Sequence, residues 1–176
     1  MLDLSCKNLG VASAVVIASL ISVNGALTRV DVRQNNIAGD GAVQLAAAVL
    51  GNLKIDVFNE IPIKEMRANS LTELDLNGKG VGVEGGMVVV GLIPVMGGLT
   101  KMSLAENKLG EEGIKAICEA LKQNKTLKEF DLSGYNNIGG EAGAKHVADM
   151  LGACCPSDIA SHITRKVKLL ERLVLF

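Results

Sequence analysis

Aromatic side chains are almost missing from this sequence. Among 176 residues there is no tryptophan, one tyrosine and three phenylalanines, so any core must be filled by Leu, Ile, Val and Ala. Proline is nearly absent as well, at three residues against twenty glycines, which suits a chain of many short turns. Neither sign of charge is in excess. Eighteen Lys+Arg stand against nineteen Asp+Glu, a net charge of −1, and that argues against a general nucleic-acid binder. The four cysteines, Cys6, Cys118, Cys154 and Cys155, form no CxxC pair, and His146 and His162 lie at no zinc-like spacing from a cysteine or carboxylate. A disulfide framework is therefore not expected, and a reducing cytoplasm is the simpler setting. Long hydrophobic runs are missing too. The run from Val11 to Ser22 falls short of the roughly 20 residues a membrane span needs. Asp3 beside Lys7 leaves it no positively charged leader, so no signal peptide is read here. A second run, Met87 to Met96, is interrupted by Pro94.

What the chain has is aliphatic bulk. Hydrophobic residues make up 48% and charged residues 21%, which excludes a disordered tail and leaves enough apolar surface for one folded domain.

Self-comparison is the most informative reading. Five segments share a pattern: MLDLSCKNLG at 1–10, LTRVDVRQNNIAG at 27–39, LTELDLNGKGVG at 71–82, LTKMSLAENKLG at 99–110 and LKEFDLSGYNNIGG at 127–140. The matched residues Leu2, Val30, Leu74, Met102 and Phe130 are 28, 44, 28 and 28 positions apart. Each segment reads L-x-x-L-x-L-x-x-N-x-L, and its central apolar pair alternates as in a short strand. The asparagine that follows, as at Asn35 and Asn107, suits a buried side chain bonding the turn backbone of adjacent coils. Lys7 and Lys79 replace it in two coils, and Tyr135 is an insertion before Asn136, so looser turns are expected in those three. Beyond each motif, apolar columns recur at helical spacing: Ile17, Leu45, Val89 and Ile117, then Ala18, Ala46, Val90 and Cys118, then Ile21, Val49, Ile93 and Leu121. These form one face of a helix laid against the strand layer. After the Tyr135 insertion the columns continue as Val147, Ala148 and Leu151.

These motifs, IAGDGAVQLAAAVL and LGEEGIKAICEALKQNKTL above all, resemble the ribonuclease-inhibitor type of leucine-rich repeat. That coil type also occurs in NOD-like receptor sensor regions and in an activator of Ran GTPase. The resemblance implies an α/β solenoid, with roughly seven strands in one curved parallel sheet on the concave side and helices on the convex side. The whole chain, 1–176, reads as a single domain. Its regular coils occupy 1–52 and 71–153, a degenerate coil 53–70, and a C-terminal helix with a last strand 154–176. Met1 falls inside the first strand, so two readings stay open: the chain is a fragment of a longer array, or a larger assembly covers its open N-terminal end.

No catalytic, cofactor or metal constellation stands out. Neither histidine follows a nucleophile elbow or an HExxH motif. The column Asp3, Asp31, Asp56, Asp75 and Asp131 reads as solvated strand-face residues rather than a metal site. The glycines around Gly78-Lys79-Gly80 fall on a repeat turn and lack the phosphate-loop spacing. Cys118 sits in a small-residue column and reads as a buried thiol.

The expected function is a non-enzymatic scaffold that binds another protein through outward strand-face residues. The candidates are Arg29, Asp31, Arg33, Phe58, Asp75, Asn77, Lys101 and Asp131, with Tyr135 at the insertion; Asn59 is also placed outward. Phe58 is taken as the aromatic anchor. Two alternatives remain open. One is a regulatory fragment of a larger NOD-like or GTPase-regulating protein. The other is a structural subunit docking through neutral convex helices, where Val16 and Val88 share an outward column. No cofactor, nucleic-acid partner or membrane insertion is expected.

Overall fold

The computed structural model describes residues 1–134 and 137–154, with backbone alone for 151–154. Tyr135, Asn136, Cys155 and His162 lie outside the described residues, as do the expected C-terminal helix and last strand. Leu151 and Cys154 are described by their backbone only.

Among the described residues six strands alternate with six helices: β1 (Leu2–Asp3), α1 (Val11–Val23), β2 (Arg29–Asp31), α2 (Gly39–Gly51), β3 (Val57–Phe58), α3 (Ile63–Arg67), β4 (Glu73–Asp75), α4 (Gly82–Leu92), β5 (Lys101–Ser103), α5 (Gly110–Leu121), β6 (Glu129–Asp131) and α6 (Glu141–Cys154). A 3-10 turn, Ile93–Val95, prolongs α4. The coils are numbered one to six by their strands. Every strand pairing is parallel, as the helical crossovers require. Helices are about twice as wide as strands are far apart, so strands gather on the inner side of the curve.

The sheet is not continuous. Among the described residues it is two three-stranded sheets, β1-β2-β3 and β4-β5-β6. In the first, Leu2 pairs with Val30 and Val30 with Phe58; in the second, Leu74 pairs with Met102 and Met102 with Phe130. The 28-residue period therefore runs unbroken from Leu2 through Val30 to Phe58, and the irregularity is one short coil of 16 residues between Phe58 and Leu74. That coil turns back at once. Phe58 and Ile61 exchange backbone bonds across Asn59 and Glu60, whose φ angles of 49° and 65° make the tight turn. Its helix, α3, is five residues long, and α2 packs directly on α4 across it.

This register corrects the reading of Phe58. It is fully buried, in the core column with Val30 and Met102, and is not a surface anchor. The apolar alternation of Leu53, Ile55 and Val57 suggests one face, whereas the strand uses Ile55 and Phe58 and leaves Leu53 outside. A one-residue slip of this kind exchanges the two faces of a strand.

The helix columns are buried as their period requires. Ile17, Leu45, Val89 and Ile117 lie in the core, as do Ala18, Ala46 and Cys118 and, in the third column, Ile21, Val49 and Ile93. Val90 and Leu121 pack at its edge. In α6 Val147 and Met150 are buried, whereas Ala148 is exposed. Small residues let the helices approach: a Cβ on Gly41 would stand 2.9 Å from the Cα of Val11, so α1 and α2 cross closely there. Val16 and Val88 do not share an outward face. Val16 is 60% exposed on α1, and Val88 is fully buried on α4, which is flanked by α2 and α5. Among the described residues no helix is long and apolar enough to cross a membrane.

Candidate functional site: the concave strand face

Strand alternation sends one side chain in two to the core and the other to the concave face. Register then places residues from separate coils in rows. Glu73, Lys101 and Glu129 form one row across the second sheet, and Asp75, Ser103 and Asp131 the next. The Lys101 ammonium lies 3.6 Å from Glu73 Oε1 and 3.5 Å from Glu129 Oε1. Glu129 first, and Glu73 second, hold its pKa above the ordinary lysine value. These rows line a shallow depression of about 360 Å³. Four carboxylates therefore line the depression with a single ammonium, which pairs with two of them.

The face of the first sheet differs. Arg29 Nη2 lies 2.6 Å from Glu60 Oε1, Arg33 Nη2 3.5 Å from the same oxygen and 2.6 Å from Asp31 Oδ2. Arg33 Nε also donates to both Asp31 oxygens, and its Nη1 reaches across the junction to the Lys79 carbonyl at 3.1 Å. Burial alone would push the Asp31 carboxyl up, but the hydrogen bonds from Arg33 outweigh it and hold the group below its ordinary value. The same side-chain bonds raise the Arg33 guanidinium. Charges on this face thus satisfy one another.

The expected patch is split by this arrangement. Asp75, Asn77, Lys101 and Asp131 belong to the second sheet and its exit turns, and Arg29, Asp31 and Arg33 to the first. Asp31 is buried, as is Asn59, which bonds loop backbone instead of facing solvent. The aspartate column has a structural task in four of its five members. Asp3, Asp31, Asp75 and Asp131 each accept the backbone N–H two residues on, from Ser5, Arg33, Asn77 and Ser133 at 3.0–3.1 Å. Each thereby shapes the exit from its strand. The carboxyl of Asp3 is held below its ordinary value by the N–H and hydroxyl of Ser5. His146, on α6, faces Glu111 at 3.8 Å.

The asparagine ladder is present at Asn35, Asn107 and Asn137. The insertion in coil six moves the rung to Asn137, beyond the expected Asn136; Asn137 is fully buried and bonds Leu104 and Leu132 carbonyls. Two groups had no place in the sequence reading. Glu84, in the first turn of α4, is buried, and burial raises its pKa from 4.5 to about 7 despite hydrogen bonds from its own backbone N–H and from Asn59. Its column carried no signal of burial: Glu84 matches Asp40 and Glu112, which stand at the same helical position and stay exposed. Arg67, at the end of α3, donates into the carbonyl end of α2.

Comparison with known proteins agrees with this geometry. A leucine-rich-repeat family model matches residues 26–46, 99–118 and 123–145. The ribonuclease inhibitor of Sus scrofa is 30% identical over 164 residues, which is 85% of this chain and 36% of that protein. The chain thus spans about a third of the length of the relative it matches. Period, parallel strands, outer helices, the asparagine ladder and these matches agree: the chain belongs to the leucine-rich repeat proteins of the ribonuclease-inhibitor type.

Proposed function

We propose that this chain is a non-enzymatic scaffold that binds another protein on the concave face of its second sheet. The supporting observation is the rows Glu73–Lys101–Glu129 and Asp75–Ser103–Asp131, which hold four carboxylates and one ammonium in a preformed depression. Such a surface suits a partner segment rich in lysine or arginine, and backbone rows fixed by strand pairing bind with little ordering cost. The relative's name describes an inhibitor of ribonuclease, and inhibition by masking a protein surface is the kind of task we assign here. The exposed thiol of Cys6, which is in no disulfide, accords with a cytoplasmic setting.

A second reading has its own observation. On α1, Val16, Leu20 and Val23 are 60, 59 and 83% exposed, on a helix without a charged residue. That face would suit docking as a subunit of a larger assembly.

One experiment separates the two. The tagged chain is used to isolate partners, and binding is measured for Asp75→Lys plus Asp131→Lys against Val16→Lys plus Leu20→Lys, with circular dichroism confirming each fold. Loss in the aspartate pair, together with weakening at raised salt, supports the concave reading. Loss confined to the α1 pair replaces it with the docking reading.

A further inference from the structure

In the regular coils each ladder asparagine serves the coil before it. Asn35 Oδ1 accepts the N–H groups of Lys7 and Leu9 at 3.0 and 2.9 Å. Asn137 Oδ1 does the same for Asn107 and Leu109 at 3.0 and 3.5 Å, and Asn107 Oδ1 accepts from Val81 at 3.1 Å. By this rule the N–H groups of Asn35 and Ile37 are to meet an asparagine from coil three. The residue at that place in the period is Ile63. Asn59 stands four positions earlier, where its oxygen accepts the Val32 N–H at 2.9 Å. Its Nδ2 turns to the Val81 carbonyl at 3.3 Å and to Glu84 Oε1 at 3.0 Å. Among the described residues no acceptor bonds the Asn35 or Ile37 amide.

Because coil three turns back at Asn59 and Glu60, its loop never reaches the loop edge of the array. A cavity of about 540 Å³ lies there instead. One wall is the coil-two loop with Asn35 and Ile37; the other is the glycine turn of coil four, Gly78 to Gly82, with Glu84 behind it. Glu106 and Lys108 stand at its side.

We propose that this cavity binds a primary carboxamide, the asparagine or glutamine side chain of a partner protein's loop, which takes the place of the coil-three rung. A carboxamide oxygen has two lone pairs for two N–H donors, and its NH₂ group supplies donors for an acceptor opposite. The cavity offers that pairing: two backbone amides on one side and the Glu84 carboxyl on the other. A carboxylate ligand would set its charge against Glu84 and Glu106. An ammonium has no lone pair for the two amides. Glu84 accepts in either protonation state, so its raised pKa of about 7 does not disable the site. An N–H enclosed without an acceptor is unfavourable, so once a partner loop covers the cavity the carboxamide serves both amides.

The test uses the full chain labelled with nitrogen-15. Its amide spectrum is followed during titration with N-acetyl-asparagine N′-methylamide, and with the corresponding aspartate and leucine compounds. The expected result is saturable movement of the Asn35 and Ile37 amides with the asparagine probe, at an affinity at least about tenfold above either counterpart. Glu84→Ala, its fold checked by the remaining amide spectrum, is expected to weaken that response by a similar factor. Equal responses to the three probes overturn the proposal. So do unmoved Asn35 and Ile37 amides, movement confined to the Glu73–Lys101–Glu129 rows, or a Glu84→Ala variant that binds as the parent does. None of these outcomes depends on whether the concave face binds a protein.

Discussion

The guanidinium of Arg67 lies 3.1 Å from the carbonyl oxygen of Val49, at the C-terminal end of α2. It also donates to the carbonyls of Leu50 at 3.0 Å, Asn52 at 3.4 Å and Ile55 at 3.0 Å. The last turn of a helix leaves such carbonyls without intrahelical partners and carries partial negative charge. One side chain from the short coil thus closes the preceding full one. Burial lowers the Arg67 pKa, more than Asp56 raises it. Arg67→Met keeps most of the aliphatic stem and removes the donors. It is expected to lose about 2–4 kcal/mol of stability, since hydrogen bonds to charged groups are worth more than neutral ones. Urea unfolding measures it, and a loss below about 0.5 kcal/mol would show that water serves those carbonyls equally well.

Phe58→Ala tests the register of the short coil. A buried phenylalanine replaced by alanine costs about 3–5 kcal/mol, whereas an exposed one costs little. The expected result is a large fall in melting temperature, comparable with that of Leu45→Ala in the adjacent full coil. A variant that melts with the parent protein would return Phe58 to the surface.

The short coil is also where the sequence is least legible. Leu45 and Ile117 announce themselves because the same columns recur in regular coils, and their burial follows from the period. Phe58 lies 28 positions after Val30 and so carries the same signal, but Leu53, Ile55 and Val57 offer a competing alternation next to it. Nothing local decides between them. Burial of Glu84 is illegible for a different reason: its equivalents Asp40 and Glu112 are exposed, and its partner Asn59 comes from the irregular turn of another coil. The concave rows are legible residue by residue. Their division into a self-paired face and an acidic one depends on Glu60, which comes from outside the repeat motif.

Glu84 makes stability depend on pH. Its folded-state pKa of about 7 stands above the ordinary 4.5. Between those values the unfolded chain has lost the proton and the folded chain retains it. This group's contribution is therefore full below about pH 4.5, falls as pH rises toward 7, and stays low above it. At about 1.4 kcal/mol per pH unit the difference is about 3 kcal/mol. Glu84→Gln keeps an oxygen for Asn59 and removes the ionisation. It is expected to be more stable than the parent at pH 8 and nearly equal at pH 4. Denaturant midpoints at the two pH values check this, and a variant whose advantage does not change with pH would refute it.

Lys101 behaves differently, because its ion pairs are exposed. Exposed pairs contribute little to stability, so Lys101→Ala is expected to leave the melting temperature almost unchanged. Its charge then remains available to steer a partner, and removing it makes the face wholly acidic. An unfolding midpoint shifted as far as that of Phe58→Ala would show that Lys101 holds the sheet together.

Glu112, in the first turn of α5, accepts the N–H of Gly39 at the start of α2, 2.8 Å away and 73 residues earlier. This contact skips coils three and four, and the direct packing of α2 on α4 skips coil three. A solenoid usually behaves like a row of beads in which each feels only its two neighbours. Here the row has a bypass through its helices, so the two sheets are expected to unfold as one unit although, among the described residues, no strand pairing joins them.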